Sequence, residues 1–106
     1  MRNSFDTIDK DLNLLRRQSA AKLVEECGEL QQVLGKIMST GHLAAHPDGT
    51  HLGIRLEQEL GDVLAAIDFF IKHNLVGDGV IECQRRSKFV KFVDWHREHT
   101  KKSDNL

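Results

Sequence analysis

Apolar side chains recur every three or four residues along most of this chain, the spacing that places them on one face of an α-helix. A single proline and only six aromatic residues, five Phe and one Trp, are poor material for the turns and strands of a small β-fold. The pattern therefore predicts an all-α protein. The apolar positions are Phe5, Ile8, Leu12, Leu15, Leu23, Cys27, Leu30, Leu34 and Ile37, then Leu56, Leu60, Val63, Leu64, Ile67, Phe70 and Ile71, and finally Val80, Ile81, Cys83, Phe89, Val90, Phe92, Val93 and Trp95.

The periodicity falters between Arg16 and Ser19, which leaves two arrangements of the N-terminal part open. Either one long helix passes through this segment, or a short helix ends there and Ser19 caps a second. Lys22 stands where a capping box would have Glu or Gln.

The remaining boundaries follow from glycine, proline and cap residues. Residues 41–53 contain the only proline and a turn sequence at Pro47-Asp48-Gly49, which is typical of a loop. A further helix is expected to end at 74–77, and the last to span about Val80 to His96. We predict a four-helix bundle in a single domain, residues 1–98, followed by a polar tail, residues 99–106.

Length and charge exclude several classes of protein. A chain of 106 residues fits one domain, and its 15 Lys and Arg nearly balance its 16 Asp and Glu, so the basic field of a nucleic-acid binder is missing. No apolar run approaches the roughly 20 residues of a membrane span, and the N-terminal residues do not resemble a signal peptide. Cys27 and Cys83 lie in apolar periodic segments, which favours free thiols and a cytoplasmic location. We expect no nucleic-acid or membrane partner.

Two acidic pairs interrupt the apolar faces. Glu26 and Glu29 lie about 60° apart on a helix, and so do Glu59 and Asp62. Either pair alone is typical of a solvated face. Two pairs at the edge of the apolar stripes of adjoining helices would converge if the helices pack antiparallel. Neighbouring carboxylates at about 4 Å would repel by roughly 4 kcal/mol at an effective dielectric of 20. A divalent cation with oxygen ligands, Mg²⁺ or alternatively Mn²⁺, is the predicted counter-charge.

The segments KLVEECGEL (Lys22 to Leu30) and RLEQELGDVL (Arg55 to Leu64) resemble the E-E-x-x-E and E-x-x-D signature of the MazG-like nucleoside triphosphate pyrophosphohydrolases. The similarity covers about residues 20–95. It implies a helical bundle assembled as a homodimer or homotetramer, Mg²⁺ dependence, and cleavage of a nucleoside or deoxynucleoside triphosphate to the monophosphate and pyrophosphate. The metal ligands of that signature fall on Glu26, Glu29, Glu59 and Asp62.

Glu25 is the first acid of the signature and a weaker catalytic candidate, because it is turned about 100° from Glu26. It would hold a second metal ion or orient the attacking water. The alternative is a solvated acid paired with Lys22, three residues earlier on the helix.

The last helix contains the candidate phosphate ligands. A triphosphate adds about four negative charges to a site that already has four carboxylates, so cationic side chains are required. Gln84, Lys88 and Lys91 form one helical stripe with Arg85 beside it. The family usually has Lys, Asn and Arg at this spacing, whereas this chain has Gln84 and Lys88 at the first two of these positions. An ordinary solvated basic face is the alternative.

Other functions are weaker fits to the sequence. The acidic motifs also resemble those of phosphoribosyl-ATP pyrophosphohydrolases. In that class a Tyr-His pair would be expected after the second motif, but this chain has Asp68-Phe69-Phe70. A non-catalytic helical dimerisation module is the alternative outside enzymes. A zinc site at His42, His46 and His51 is disfavoured because no cysteine or rigid helix supports it.

Overall fold

The computed structural model describes residues 4–40 and 51–104. Within these ranges the chain forms three α-helices, α1 (Ser4–Thr40), α2 (Leu52–His73) and α3 (Asp78–Asp104), which confirms the all-α prediction. In the same ranges no helix is long and apolar enough to cross a membrane. The predicted turn at Pro47, and with it His42 and His46, lies outside the described residues.

Helix α1 is continuous through the segment where the apolar periodicity falters. Ser19 does not cap a second helix. Its hydroxyl donates a hydrogen bond to the carbonyl oxygen of Arg16, at 2.9 Å, and the side chain is fully buried. A serine can make this bond to the preceding turn without interrupting the helix. The described residues therefore form three helices instead of four.

The ends of α2 are set by two flanking side chains. The Nδ1 atom of His51 accepts a hydrogen bond from the backbone N–H of Gly53 at 3.0 Å, so this histidine is the N-cap of the helix. Asn74 is the C-cap with extended backbone, within the predicted boundary at 74–77. Helix α3 continues to Asp104, past its expected end near His96.

Helices α1 and α2 pack against each other in antiparallel fashion. Ser19, in the first half of α1, is bonded to Asn74 at the C-terminal end of α2, whereas Glu29, farther along α1, interacts with Glu59 in the first half of α2. The contacts thus run in opposite directions along the two helices. Every buried side chain of the described residues lies on α1 or α2.

The buried positions are fourteen residues apart on each of the two helices. On α1 they are Ser19 and Val33, and on α2 they are Leu52 and Ala66. The two residues of each pair are separated by two heptads. A heptad repeat keeps one seam of a helix against its partner. The middle position of each seam, 26 on α1 and 59 on α2, is a glutamate.

The chain divides into two compact units, Met1–Leu75 and Val76–Leu106. The first contains α1 and α2, and the second contains α3. The single domain over residues 1–98 stays a prediction. The large apolar side chains of α3 that are more than half exposed are Val80, Phe89, Val90, Phe92 and Trp95.

Candidate metal centre

Four carboxylates from α1 and α2 converge midway along the interface. One oxygen from each side chain lies within 4.8 Å of the corresponding oxygen of every other. The three glutamates are partly buried and the aspartate is exposed, so the cluster opens to solvent on the side of the aspartate. These residues are the four predicted metal ligands, Glu26, Glu29, Glu59 and Asp62.

The heptad seams explain why these acids meet. Glu26 lies seven residues from both Ser19 and Val33, and Glu59 lies seven residues from both Leu52 and Ala66. Packing of the flanking residues therefore holds both glutamates in the interface. Their neighbours three residues later, Glu29 and Asp62, lie one turn along the same faces and complete the cluster.

Two oxygen atoms of the cluster lack hydrogen-bond partners. The Oε2 atoms of Glu26 and Glu59 are buried, and neither has a partner among the described residues. Buried polar atoms are almost always paired in folded proteins, and an unpaired buried charge is costly. These two atoms are therefore available to accept a hydrogen bond or to bind a cation.

The pKa values of both glutamates are raised above their usual 4.5. Burial is the main cause for Glu26, followed by repulsion from Glu29 and Asp62 and a hydrogen bond with Glu29. Glu59 has the same causes in the same order, opposed by the positive charge of Arg55. A cluster that disfavours its own negative charge in this way favours binding of a proton or a cation.

The donor set fits a hard divalent cation. All four donors are carboxylate oxygens, the ligands that Mg²⁺ and Mn²⁺ prefer. Their largest separation of 4.8 Å is close to the roughly 4.2 Å between opposite ligands of octahedral Mg²⁺.

An added Cβ at Gly28 or Gly61 would meet no atom within 4 Å, so neither glycine marks a close approach of helices in the described ranges.

Glu25 lies outside the cluster. Its carboxylate pairs with the Lys22 ammonium at 3.2 Å, and both side chains are more than half exposed. Among the neighbouring carboxylates that raise the pKa of Glu26, Glu25 has the weakest effect. The structure thus contains the ion pair with Lys22 that was one of the two interpretations of Glu25. The catalytic role of Glu25 stays a prediction.

The predicted phosphate ligands are exposed residues of α3. Arg85 is paired: its Nε donates to Glu82 at 3.0 Å and its Nη2 contacts the same carboxylate. This pairing lowers the pKa of Glu82 and raises that of Arg85. Glu82 was not singled out from the sequence, although its spacing of three residues to Arg85 is an ion-pair signal. Gln84, Lys88 and Lys91 are exposed on the same helix.

Comparisons with protein-family models, curated proteins and solved structures find no match to this chain. The resemblance to MazG-like enzymes rests on the two acidic motifs alone. Function is therefore best argued from the chemistry of the carboxylate cluster.

Proposed function

We propose that this protein is a Mg²⁺-dependent pyrophosphohydrolase of the MazG-like type, which hydrolyses a nucleoside or deoxynucleoside triphosphate to the monophosphate and pyrophosphate. The observation that carries the proposal is the convergence of four carboxylates with two buried, unpartnered oxygens. Such a site calls for a divalent cation, and a cation that keeps open positions is suited to bind substrate phosphates.

Each acid has a distinct place in the proposed reaction. Glu26 and Glu59 hold the buried side of the cation site, and Asp62 holds the side that faces solvent, where phosphates would enter. Bound Mg²⁺, or alternatively Mn²⁺, would neutralise phosphate charge and lower the pKa of a coordinated water. Glu25 lies next to Glu26 along α1 and is the candidate to orient the attacking water, after release from Lys22.

Lys88 and Lys91 are proposed to contact the substrate phosphates, with Gln84 and Arg85 as further candidates. The support is electrostatic, because the charge of a triphosphate exceeds what one divalent ion neutralises. Charge-assisted contacts are worth roughly 1.5–3 kcal/mol, so we expect Lys88→Ala and Lys91→Ala each to lower kcat/KM about ten- to hundredfold. Lys101→Ala, at the far end of the same helix, is the control. Unchanged kcat/KM in both variants would identify these lysines as a solvated face.

A homo-oligomer, either a homodimer or a homotetramer, is part of the proposal. The exposed apolar side chains of α3 support it, because apolar surface of this extent on a helix usually marks an interaction site. A dimer would pair two copies of the α1–α2 unit into four helices from two subunits, which differs from the four helices of one chain that the sequence predicted. Light scattering that gives a 12.1 kDa monomer at micromolar concentration would contradict this assembly.

Pyrophosphate release is the direct test of the proposed activity. The purified protein is assayed with a panel of nucleoside and deoxynucleoside triphosphates and phosphoribosyl-ATP, with Mg²⁺ and with a chelator. We expect Mg²⁺-dependent release for at least one substrate and a Tm that rises with Mg²⁺ as RT ln(1 + [L]/Kd). No release and no Tm shift would favour the non-catalytic dimerisation module. Release from phosphoribosyl-ATP alone would favour that enzyme class.

A further inference from the structure

A cavity of about 390 Å³ lies on the surface of the α1–α2 pair. Helix α1 lines it with Gln18, Ala21, Lys22 and Glu25, and α2 contributes Phe69. None of the residues of the carboxylate cluster lines this cavity. It is thus a separate space in the unit that contains the candidate metal centre.

The cavity adjoins the metal centre along both helices. On α1, Lys22 lies one turn before Glu26, and Glu25 immediately precedes it. On α2, Phe69 follows Asp62 by seven residues, about 10 Å along the same helix face. Because the helices are antiparallel, both directions lead to the same side of the cluster. Along the helices the cavity therefore lies between one and two turns from the cluster.

The lining side chains suit a flat heterocycle. Phe69 is 37% exposed, and His73 packs against its ring with centroids 4.6 Å apart at 73°, so the phenyl ring is held while part of it stays accessible. The amide of Gln18 offers both a hydrogen-bond donor and an acceptor. An aromatic face with an amide beside it is the combination that stacks on a nucleobase and bonds its edge.

We propose that this cavity binds the base of the nucleotide substrate, with Phe69 stacking on the base and Gln18 bonding its edge. The inference rests on the proposed function, because it requires a nucleotide whose phosphates lie at the carboxylate cluster. It makes Phe69 the affinity-determining residue for the nucleoside part of the substrate. It makes Gln18 a residue that discriminates between bases.

Binding measurements separate the base from the phosphates. Calorimetry with Mg²⁺ compares a non-hydrolysable nucleoside triphosphate with inorganic tripolyphosphate, which has no base. We expect Phe69→Ala to weaken nucleotide binding roughly five- to hundredfold and to leave tripolyphosphate binding unchanged. Phe69→Leu, which keeps apolar volume without a planar face, should behave as Phe69→Ala. Phe69→Trp should restore affinity, and Gln18→Leu should alter the order of preference among the four bases.

Leu64→Ala is the matched control, because Leu64 is an exposed apolar residue of α2 that does not line the cavity. Equal loss of nucleotide and tripolyphosphate affinity in both Phe69→Ala and Phe69→Leu would overturn the inference, as would unchanged nucleotide affinity in a folded variant. If the wild-type protein hydrolyses nucleotides and Phe69→Ala binds them normally, the proposed base site is wrong and the proposed function stands. Wild-type protein that binds neither Mg²⁺ nor nucleotide contradicts the proposed function as well.

Discussion

Two polar sites lie in the same α1–α2 interface and differ in how their groups are partnered. At Ser19 every contact is a neutral hydrogen bond: Asn74 donates its Nδ2–H to the serine hydroxyl at 2.9 Å and to the carbonyl of Phe70 at 2.8 Å. One heptad along α1, the buried Oε2 atom of Glu26 has no partner among the described residues, and neither has that of Glu59.

The difference lies in the charge and in the hydrogen-bond donors of the groups that meet at each site. Both sites occupy the same heptad seam of α1, so helix geometry does not distinguish them. A hydroxyl and an amide have complementary donors and acceptors. Ionised carboxylates have acceptors only, and the hydrogen bonds of Glu29 with Glu26 and Glu59 therefore require a proton. The first site therefore stabilises the helix pair by itself, and the second requires a cation or a proton.

The largest effect is expected at the carboxylate cluster. Glu29→Ala or Asp62→Ala should lower Mg²⁺-dependent hydrolysis by more than roughly hundredfold, the upper end of losses for residues that only support a metal ligand. Circular dichroism should show the same helix content, and stability without metal should be equal or higher because repulsion is relieved.

Glu57→Ala is the charge-matched control for this experiment, since Glu57 is an exposed acid of α2 outside the cluster. It should retain activity and the Mg²⁺-induced rise in Tm. Full activity of either cluster variant would refute the metal assignment and with it the contrast between the two polar sites.

The next effect concerns stability at the neutral site. Asn74→Ala removes both hydrogen bonds of the amide and should lower the free energy of unfolding by about 1–3 kcal/mol in denaturant titrations. A double-mutant cycle with Ser19→Ala should show coupling of about 0.5–3 kcal/mol. The Mg²⁺-induced Tm shift should stay the same in all three variants. A lost shift would mean that the two polar sites are not independent.

A pH titration of stability probes the charged site without mutation. Because the pKa values of Glu26 and Glu59 are raised in the folded state, the folded protein binds more protons than the unfolded chain between pH 4.5 and the raised values. The contribution of these two groups is therefore fully present below pH 4.5 and is lost as the pH rises through the folded pKa values. Saturating Mg²⁺ should remove this loss, since the cation replaces the proton. The Glu26→Gln/Glu59→Gln variant serves as the reference, and identical pH profiles with and without these glutamates would contradict the prediction.

The smallest effect is expected at Gly28, inside α1 and beside the cluster. Its added Cβ would meet no atom within 4 Å, so Gly28→Ala should raise the free energy of unfolding by up to about 1 kcal/mol through helix propensity. Gly35→Ala, on the same helix with the same open surroundings, is the control. If activity falls only in Gly28→Ala, the free space next to the metal ligands serves the substrate.

Sequence patterns were sufficient for the features that depend on local periodicity. The three- and four-residue spacing predicted the helices, and acids three residues apart within an apolar stripe predicted that Glu26, Glu29, Glu59 and Asp62 would meet. Continuity of α1 was not decided, because Ser19 is held by Asn74, 55 residues away, and that contact has no local signal. The extension of α3 to Asp104 was missed because its last turns lack an apolar stripe.

The heptad seam also has a consequence for stability. Positions 26 and 59 are places where leucine would make an ordinary dry seam between two helices. Replacing buried charges by well-packed apolar side chains often stabilises a protein by about 1–4 kcal/mol. Leucine at both positions should thus raise the free energy of unfolding of the helix pair and remove the proposed cation site. In this hairpin, cation binding and stability place opposite demands on positions 26 and 59.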